Sequence, residues 1–315
     1  MVVKTYDPVT LSEKETVTKI TSMIWNRRFY KNGSFTMQTT ADKFAVNDII
    51  AYKFKGEIRS GIIMKIVENM DGFTVSGYDL KGVFNFRYIT EEKEYTGTPE
   101  QIVKQVASDY LQADDRALPL LEIEADASPE DAEETTFTPE KGLLESAFET
   151  FCIANEIGIF IDFNLQKITM KTVFGRDRRD LIRFGRKYRN IENIEYTNDI
   201  FNTYNVIYSV NEEDDETVTG EAVGFLRREG YSSKNPEEYL KEKSPVETVR
   251  AEATERYEYN VDYALGDYVL VVKDNISTVK QITEIKEVHE KERSIIVPIF
   301  GTEKENPLTK LLKEG

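Results

Sequence analysis

From about Lys19 to Tyr88 the apolar positions fall in short runs that read as strand after strand. Residues 16–25, 34–39, 49–54 and 60–67 are rich in β-branched and aromatic side chains and are bounded by Gly, Asn or Asp, as strands are. Asp71-Gly72 accepts positive φ, so residues 60–80 read as a hairpin. Strand after strand with no helix between them implies a barrel or a sandwich.

The pattern changes at Thr98-Pro-Glu-Gln101. Threonine caps the first free amides, proline fits the first helical position, and Gln101 completes a capping box. Ile102, Val106 and Tyr110 then share a face, which predicts a helix to about Leu111. Thr138-Pro-Glu-Lys141 reads as a second start, with a helix through Glu156 that gathers Leu144, Ala147, Phe148, Phe151 and Asn155 on one side. Residues 159–163 and 168–174 alternate around Asn164-Leu-Gln-Lys167, a hairpin laid on that helix. Strands resume at 191–196 and 204–209 and break at Asn211-Glu-Glu-Asp-Asp-Glu216. Helix starts follow at Asn235-Pro-Glu-Glu238 and Ser244-Pro-Val-Glu247, before a last β block over 263–272, 280–288 and 293–300.

The expected fold class is a β-rich α+β chain in which two antiparallel β-barrel-like domains alternate with α+β segments. The first β domain covers residues 1–96 and the second 191–210 with 257–301. An α+β domain covers 97–190, a charged helical insertion covers 211–256, and 302–315 form an amphipathic tail.

Composition narrows the function. The 315 residues carry 40% hydrophobic and 31% charged side chains, an ordinary globular balance large enough for two or three cores. A net charge of −16 repels nucleic acid, whose binding needs clustered Lys and Arg. The local exception is the basic run from Arg176 to Arg189, which acids interrupt. The acid-rich stretch 122–134 lacks the spacing of a calcium loop and reads as a solvated loop. The N-terminus has no signal-peptide core and no apolar block is long enough to span a bilayer, so synthesis in the cytoplasm without membrane insertion is expected.

Candidate chemistry is sparse. One cysteine, Cys152, and one histidine, His289, leave no disulfide and no two-histidine zinc site. His289 lies in Lys286-Glu-Val-His-Glu-Lys-Glu-Arg293, read as the charged tip of a hairpin bearing a solvated imidazole. Cys152 sits beside Phe148 and Phe151 and reads as a small core residue. Asp114-Asp115, and Asp79 with Glu57, are carboxylate pairs of the kind sugar cleavage uses, but spacing alone does not place them across a cleft. No phosphate-cradling glycine loop is present. No catalytic, cofactor-binding or metal-binding residue is expected, and the protein reads as a non-enzyme.

Several soft motifs follow one another in order. They are Trp25-Asn-Arg-Arg-Phe-Tyr-Lys-Asn-Gly33-Ser-Phe35-Thr-Met37, Gly77-Tyr78-Asp-Leu80 running to Arg87, and Phe174-Gly-Arg-Asp-Arg-Arg179. Arg189-Asn190 through Asn205-Val-Ile-Tyr208 and Tyr263-Ala-Leu265-Gly266-Asp267-Tyr-Val269 continue the series. The series resembles the tail-tip hub proteins of phages of Gram-positive bacteria, which are similar in fold to the baseplate hub of contractile phages. The resemblance implies that Trp25, Gly33, Phe35, Gly77, Tyr78, Arg87, Asn205, Leu265, Gly266 and Asp267 are structural positions. It implies a homotrimeric, ring-forming hub at the virion tail tip that joins the tail tube to the spike and encloses a channel. Its partners would be the tail tube or distal tail protein, the tape-measure protein and a separate spike or tip protein, since the chain stops at Gly315. Three copies would raise −16 to −48, and an acidic lumen would let DNA pass without sticking. The competing readings are a tail-associated peptidoglycan hydrolase or endopeptidase, a carbohydrate-binding receptor module, and the same hub in a tail-like bacteriocin or contractile injection particle.

Overall fold

Seven strands form the first block: β1 (Val3–Tyr6), β2 (Glu13–Val17), β3 (Ile20–Arg28), β4 (Ser34–Thr39), β5 (Ile49–Phe54), β6 (Glu57–Asn69) and β7 (Gly72–Asp79). They belong to a computed structural model that describes residues 1–124, 132–201, 203–210, 216–232, 236–254, 256–273, 276–290 and 293–301. The strands expected from the sequence open at residue 16, so β1 lies outside them. The ladders are antiparallel: β3 pairs with β4, β4 with β7, β7 with β6, β6 with β5, β5 with β1, and β1 with β2. The hairpin expected at 60–80 is present, with Asn69 opposite Gly72. Gly72 has φ of +124°, and a Cβ there would lie 2.4 Å from the Thr39 carbonyl oxygen. Only glycine meets both demands.

β5 shows why its sequence is apolar without interruption. Ile50 and Tyr52 enter one core with Met23, Trp25, Phe35, Met37, Ile63 and Val75. Ile49 and Ala51 enter the other, which lies under the helices. A strand covered on both faces has no polar side to show.

α1 (Pro99–Leu111) begins as expected, with Thr98 and Gln101 closing a capping box. Its Ile102, Val106 and Tyr110 are buried. The second helix needs correction: α2 runs Leu144–Ala154 and does not start at Thr138. Gly142 and Leu143 pair instead with Ile89 and Tyr88, and the Leu144 amide donates to the Arg87 carbonyl at 3.0 Å. These bonds hold the chain extended up to Leu144. The helix ends at Ala154, and the Asn155 side chain donates back to the Phe151 carbonyl at 2.8 Å.

β8 (Ile157–Phe163) and β9 (Ile168–Phe174) form the hairpin expected next. Asn164 fixes its turn, accepting from the Gln166 and Lys167 amides. Near the C-terminus lie β10 (Tyr268–Lys273), β11 (Ile276–Glu290) and β12 (Ser294–Phe300). β11 pairs with β10 over residues 276–281 and with β3 over 284–290, so the first sheet continues into C-terminal strands.

The chain divides into two compact units, Met1–Asn193 with Ala251–Ile299 and Ile194–Arg250 with Phe300–Gly315. The second unit holds a three-stranded sheet. Its strand Val206–Val210 is antiparallel to Glu216–Thr219 and parallel to Glu229–Tyr231. A short helix, Pro236–Glu242, starts where Asn235-Pro predicted one. The start expected at Ser244-Pro is overturned, because residues Val246–Ala253 are a strand. The Val-Glu-Thr-Val run is β-branched, and Thr248, Val249 and Ala251 are buried. Most of the acid-rich stretch, the break after residue 210 and the tail from 302 lie outside the described residues.

Candidate functional site

The motif positions in the first unit gather at two junctions. At one, Trp25 on β3 and Phe35 on β4 are cross-strand partners, stacked with centroids 4.9 Å apart and planes 11° apart. Glycines let the neighbouring strands close on this stack. A Cβ on Gly77 would lie 1.9 Å from the Ile62 carbonyl oxygen and 2.9 Å from the Phe35 ring. One on Gly33 would lie 2.2 Å from the Asn26 carbonyl oxygen. Tyr78 sits in register between Ser34 and Ile62. Asp79 then caps the 3-10 turn Leu80–Phe86 by accepting from the Lys81 amide. Burial pushes the Asp79 carboxyl up and the Lys81 amine down, and Lys81 Nζ donates to the Arg28 carbonyl at 2.5 Å. Arg87 leaves the turn and donates to the Arg116 carbonyl at 2.9 Å.

At the other junction Asp267 accepts from the Arg176 amide at 3.1 Å, from Arg176 Nε at 3.0 Å and Nη2 at 2.6 Å, and from the Ala264 amide at 2.8 Å. Leu265 is buried beside it. Gly266 has φ of +97°, and a Cβ there would come within 2.3 Å of the Phe29 ring. A Cβ on Gly158 of β8 would come within 2.5 Å of the same ring. Phe29 therefore locks three distant segments together through two glycines. Asn205 joins neither group; in the second unit it bridges the Leu226 carbonyl and the Arg228 amide.

His289 is a correction. It was expected at a solvated tip, yet it is 4% exposed, because β11 runs on to Glu290 and turns Ile285, Glu287 and His289 to the same buried face. Its Nδ1 shares a hydrogen bond with Ser294 Oγ at 3.0 Å, and its Nε2 lies 3.4 Å from the Tyr52 hydroxyl. Glu287 lies opposite Trp25 in the ladder. It accepts from Arg59 Nε at 3.0 Å and Nη2 at 2.9 Å. Arg59 Nη1 also donates to Glu57 at 2.5 Å, and Arg27 donates to the Tyr259 hydroxyl at 2.8 Å. Burial opposes charge on Glu287, but the His289 hydrogen bond and the Arg59 and Arg27 cations outweigh it and hold the carboxyl down at about 2. Burial, with Glu287 nearby, pushes the Tyr52 phenol well up. The signal for this cluster was present in the alternation of β11, masked by the density of charge around it.

The other candidates are accounted for locally. Burial pushes the Cys152 thiol up to about 12, so it stays protonated at neutral pH. Glu57 is engaged by Arg59 and Arg27, and Asp79 by its capping role. Asp114 and Asp115 lie in an exposed 3-10 turn. In the basic run, Arg176 and Arg179 pair with Asp267 and Asp177, while Arg183, Arg186, Lys187 and Arg189 are exposed. Among the described residues no group of three or more His, Cys, Asp or Glu is placed to hold a metal. A pocket of about 410 Å³ opens between the start of β6, the β8–β9 hairpin and residues 260–265. Phe160, Phe163 and Leu265 lie on its lining, with Arg27, Glu57, Asp162 and Lys171. Arg27 lies 3.6 Å from Glu57, and Lys171 3.7 Å from Asp162, so these charges balance in pairs. The arrangement clamps strands together.

No family model matches the chain, and no curated protein matches it in sequence. Solved structures match it over almost its whole length. A tail protein from Neisseria meningitidis is 14% identical with a TM-score of 0.59, covering 96% of each chain. Prophage tail protein gp18 from Listeria monocytogenes is 12% identical with a TM-score of 0.59, covering 99% of this chain and 98% of that one. A chain of the phage P2 baseplate is 10% identical with a TM-score of 0.50, covering 96% of this chain and 100% of that one. The fold is that of phage tail and baseplate proteins.

Proposed function

We propose that the protein is a structural hub of a tail tip or baseplate, in a phage or a phage-tail-like particle, and works without catalysis. The observation that carries this reading is likeness in fold along 96–99% of the chain to tail proteins of similar length. The clamps fit a mechanical role: Phe29 between two glycine-bearing segments and Glu287 against Arg59 both tie residues far apart in sequence. In this reading two β halves, residues 1–96 and 191–210 with 257–301, alternate with the α+β parts. Three copies close a ring between the tail tube and the spike, around a channel. The neighbouring partners are tube or distal tail, tape-measure and spike proteins.

The test is the mass of the purified chain by light scattering, followed by electron microscopy of the same sample. A mass three times 36.3 kDa and rings in projection are expected. A monomer at every concentration tested would remove the self-assembling ring.

A further inference from the structure

We propose that the four segments meeting at Lys81 are bridged by buried water, about one or two molecules held in a cavity of about 20 Å³. The site is complete within one copy of the chain and does not depend on assembly.

The wall of the cavity comes from distant parts of the sequence. β3 supplies Arg27 and Arg28, β6 supplies Ser60, and β8 supplies Phe160. Asp79 and Lys81 come from the end of β7 and the 3-10 turn that follows it. These groups carry hydrogen-bonding capacity that the chain does not use. Lys81 is 3% exposed, and its ammonium has three donors. It gives one to the Arg28 carbonyl at 2.5 Å and makes no second hydrogen bond among the described residues. Buried Ser60 accepts from the Phe163 amide at 3.1 Å, and its own hydroxyl hydrogen has no acceptor among the described residues. Arg27 gives Nη1 to the Tyr259 hydroxyl at 2.8 Å, which leaves Nε and Nη2 to give. Asp79 Oδ1 accepts from the Lys81 amide at 3.1 Å, and its carboxyl has lone pairs to spare. A buried donor left unmet is costly, and a water with about two to four polar partners removes that cost.

Size and charge select the occupant. A space of about 20 Å³ exceeds the roughly 10–15 Å³ that one water needs and is too small for an organic ligand. Charge on the wall cancels. Arg28 pairs with Glu284 at 2.8 Å and Arg59 with Glu287 at 2.9 Å, which leaves Arg27 and Lys81 against Asp79 and Asp162. Glu57, 2.5 Å from Arg59, adds a further negative charge. An anion would find no net attraction there to offset its lost hydration, whereas water both gives and accepts and so serves both signs. Arg27 and Lys81 converge on the Phe160 ring, 5.4 Å and 5.3 Å from its centroid, so carbon covers part of each cation and leaves less of it to other partners. Burial pushes the Asp79 carboxyl up and the Lys81 amine down, the response of two charges short of hydration. Arg27, Phe160 and Asp162 also line the larger pocket, which gives water its way in.

The test is a crystal structure of the full chain at a resolution that orders buried water, with a second crystal soaked in sodium bromide. Density is expected in the cavity at roughly 2.6–3.2 Å from Lys81 Nζ and from at least one of Ser60 Oγ, Arg27 or the Asp79 carboxyl, with no anomalous bromide signal. A cavity without density overturns the proposal, as does Lys81 Nζ bonded directly to Asp79 with the space closed. A bromide signal at the site overturns it in favour of an anion. In solution, oxygen-17 magnetic relaxation dispersion counts the slowly exchanging waters of wild type and of Lys81→Met, which keeps the chain length of the side chain and removes its donors. The count is expected to fall by about one or two. An equal count in folded Lys81→Met removes Lys81 from the bridge. Should Lys81→Met fail to fold, the wild-type crystal decides alone.

Discussion

Burial would protonate Glu287 were it alone; the Arg59 fork and His289 keep it charged. Removing one member of such a pair strands the other, at about 3–5 kcal/mol. Arg59→Met is therefore expected to lower the unfolding free energy by about that amount in urea titration, whereas Arg59→Met with Glu287→Met should recover most of it. The pH response has a definite sign. Glu287 titrates near 4.5 when unfolded and at about 2 when folded. Its contribution is thus complete above about 4.5 and drains as pH falls through about 2. Glu57 is shifted in the same direction, by Arg59 and Arg27 acting against its burial. Urea midpoints at about pH 5, 4 and 3 should fall more steeply for wild type than for Glu287→Gln. Parallel slopes would show that the pair carries no such linkage.

Elements meet where side chains are missing. The Phe29 ring occupies the space where Gly158 and Gly266 lack a Cβ. Gly158→Ala is expected to cost about 1–3 kcal/mol through overpacking. Gly266→Ala should cost more, since its φ of +97° strains any Cβ. Phe29→Leu should relieve part of the Gly158→Ala penalty, a coupling that a double-mutant cycle in urea measures. Such close approaches were only half legible beforehand. Thr98-Pro-Glu-Gln101 announced α1 because a capping box is complete within four residues. Thr138-Pro-Glu-Lys141 looked alike, but the pairing of Gly142 and Leu143 with Ile89 and Tyr88, far earlier in the chain, decided the matter. Ser244-Pro misled for the same kind of reason, local capping chemistry yielding to a buried β-branched run. The motif glycines were legible as positions, whereas their reasons lie in rings and carbonyls contributed from elsewhere in the chain. The Arg59–Glu287 clamp escaped notice because its partners stand 228 residues apart, and only the period-two face of β11 hinted at it.

At the scale of the whole molecule, charge opposes assembly. Each copy carries −16, and like-charged bodies repel until salt screens them; the screening length shrinks from roughly 10 Å at 0.1 M salt to roughly 3 Å at 1 M. Copies held together by apolar burial would gain nothing from their net charge and lose by it. Salt therefore weakens only the repulsion and leaves the contact in place. The concentration at which copies associate, followed by light scattering from about 50 mM to about 500 mM salt, is expected to fall. Were Arg183, Arg186, Lys187 and Arg189 instead the contact, pressed on the acidic surface of the next copy, each ion pair would be screened as salt rose. The association midpoint would then climb. The direction of that one titration separates an assembly held by burial from one held by charge, and a climbing midpoint would assign the contact to the basic run.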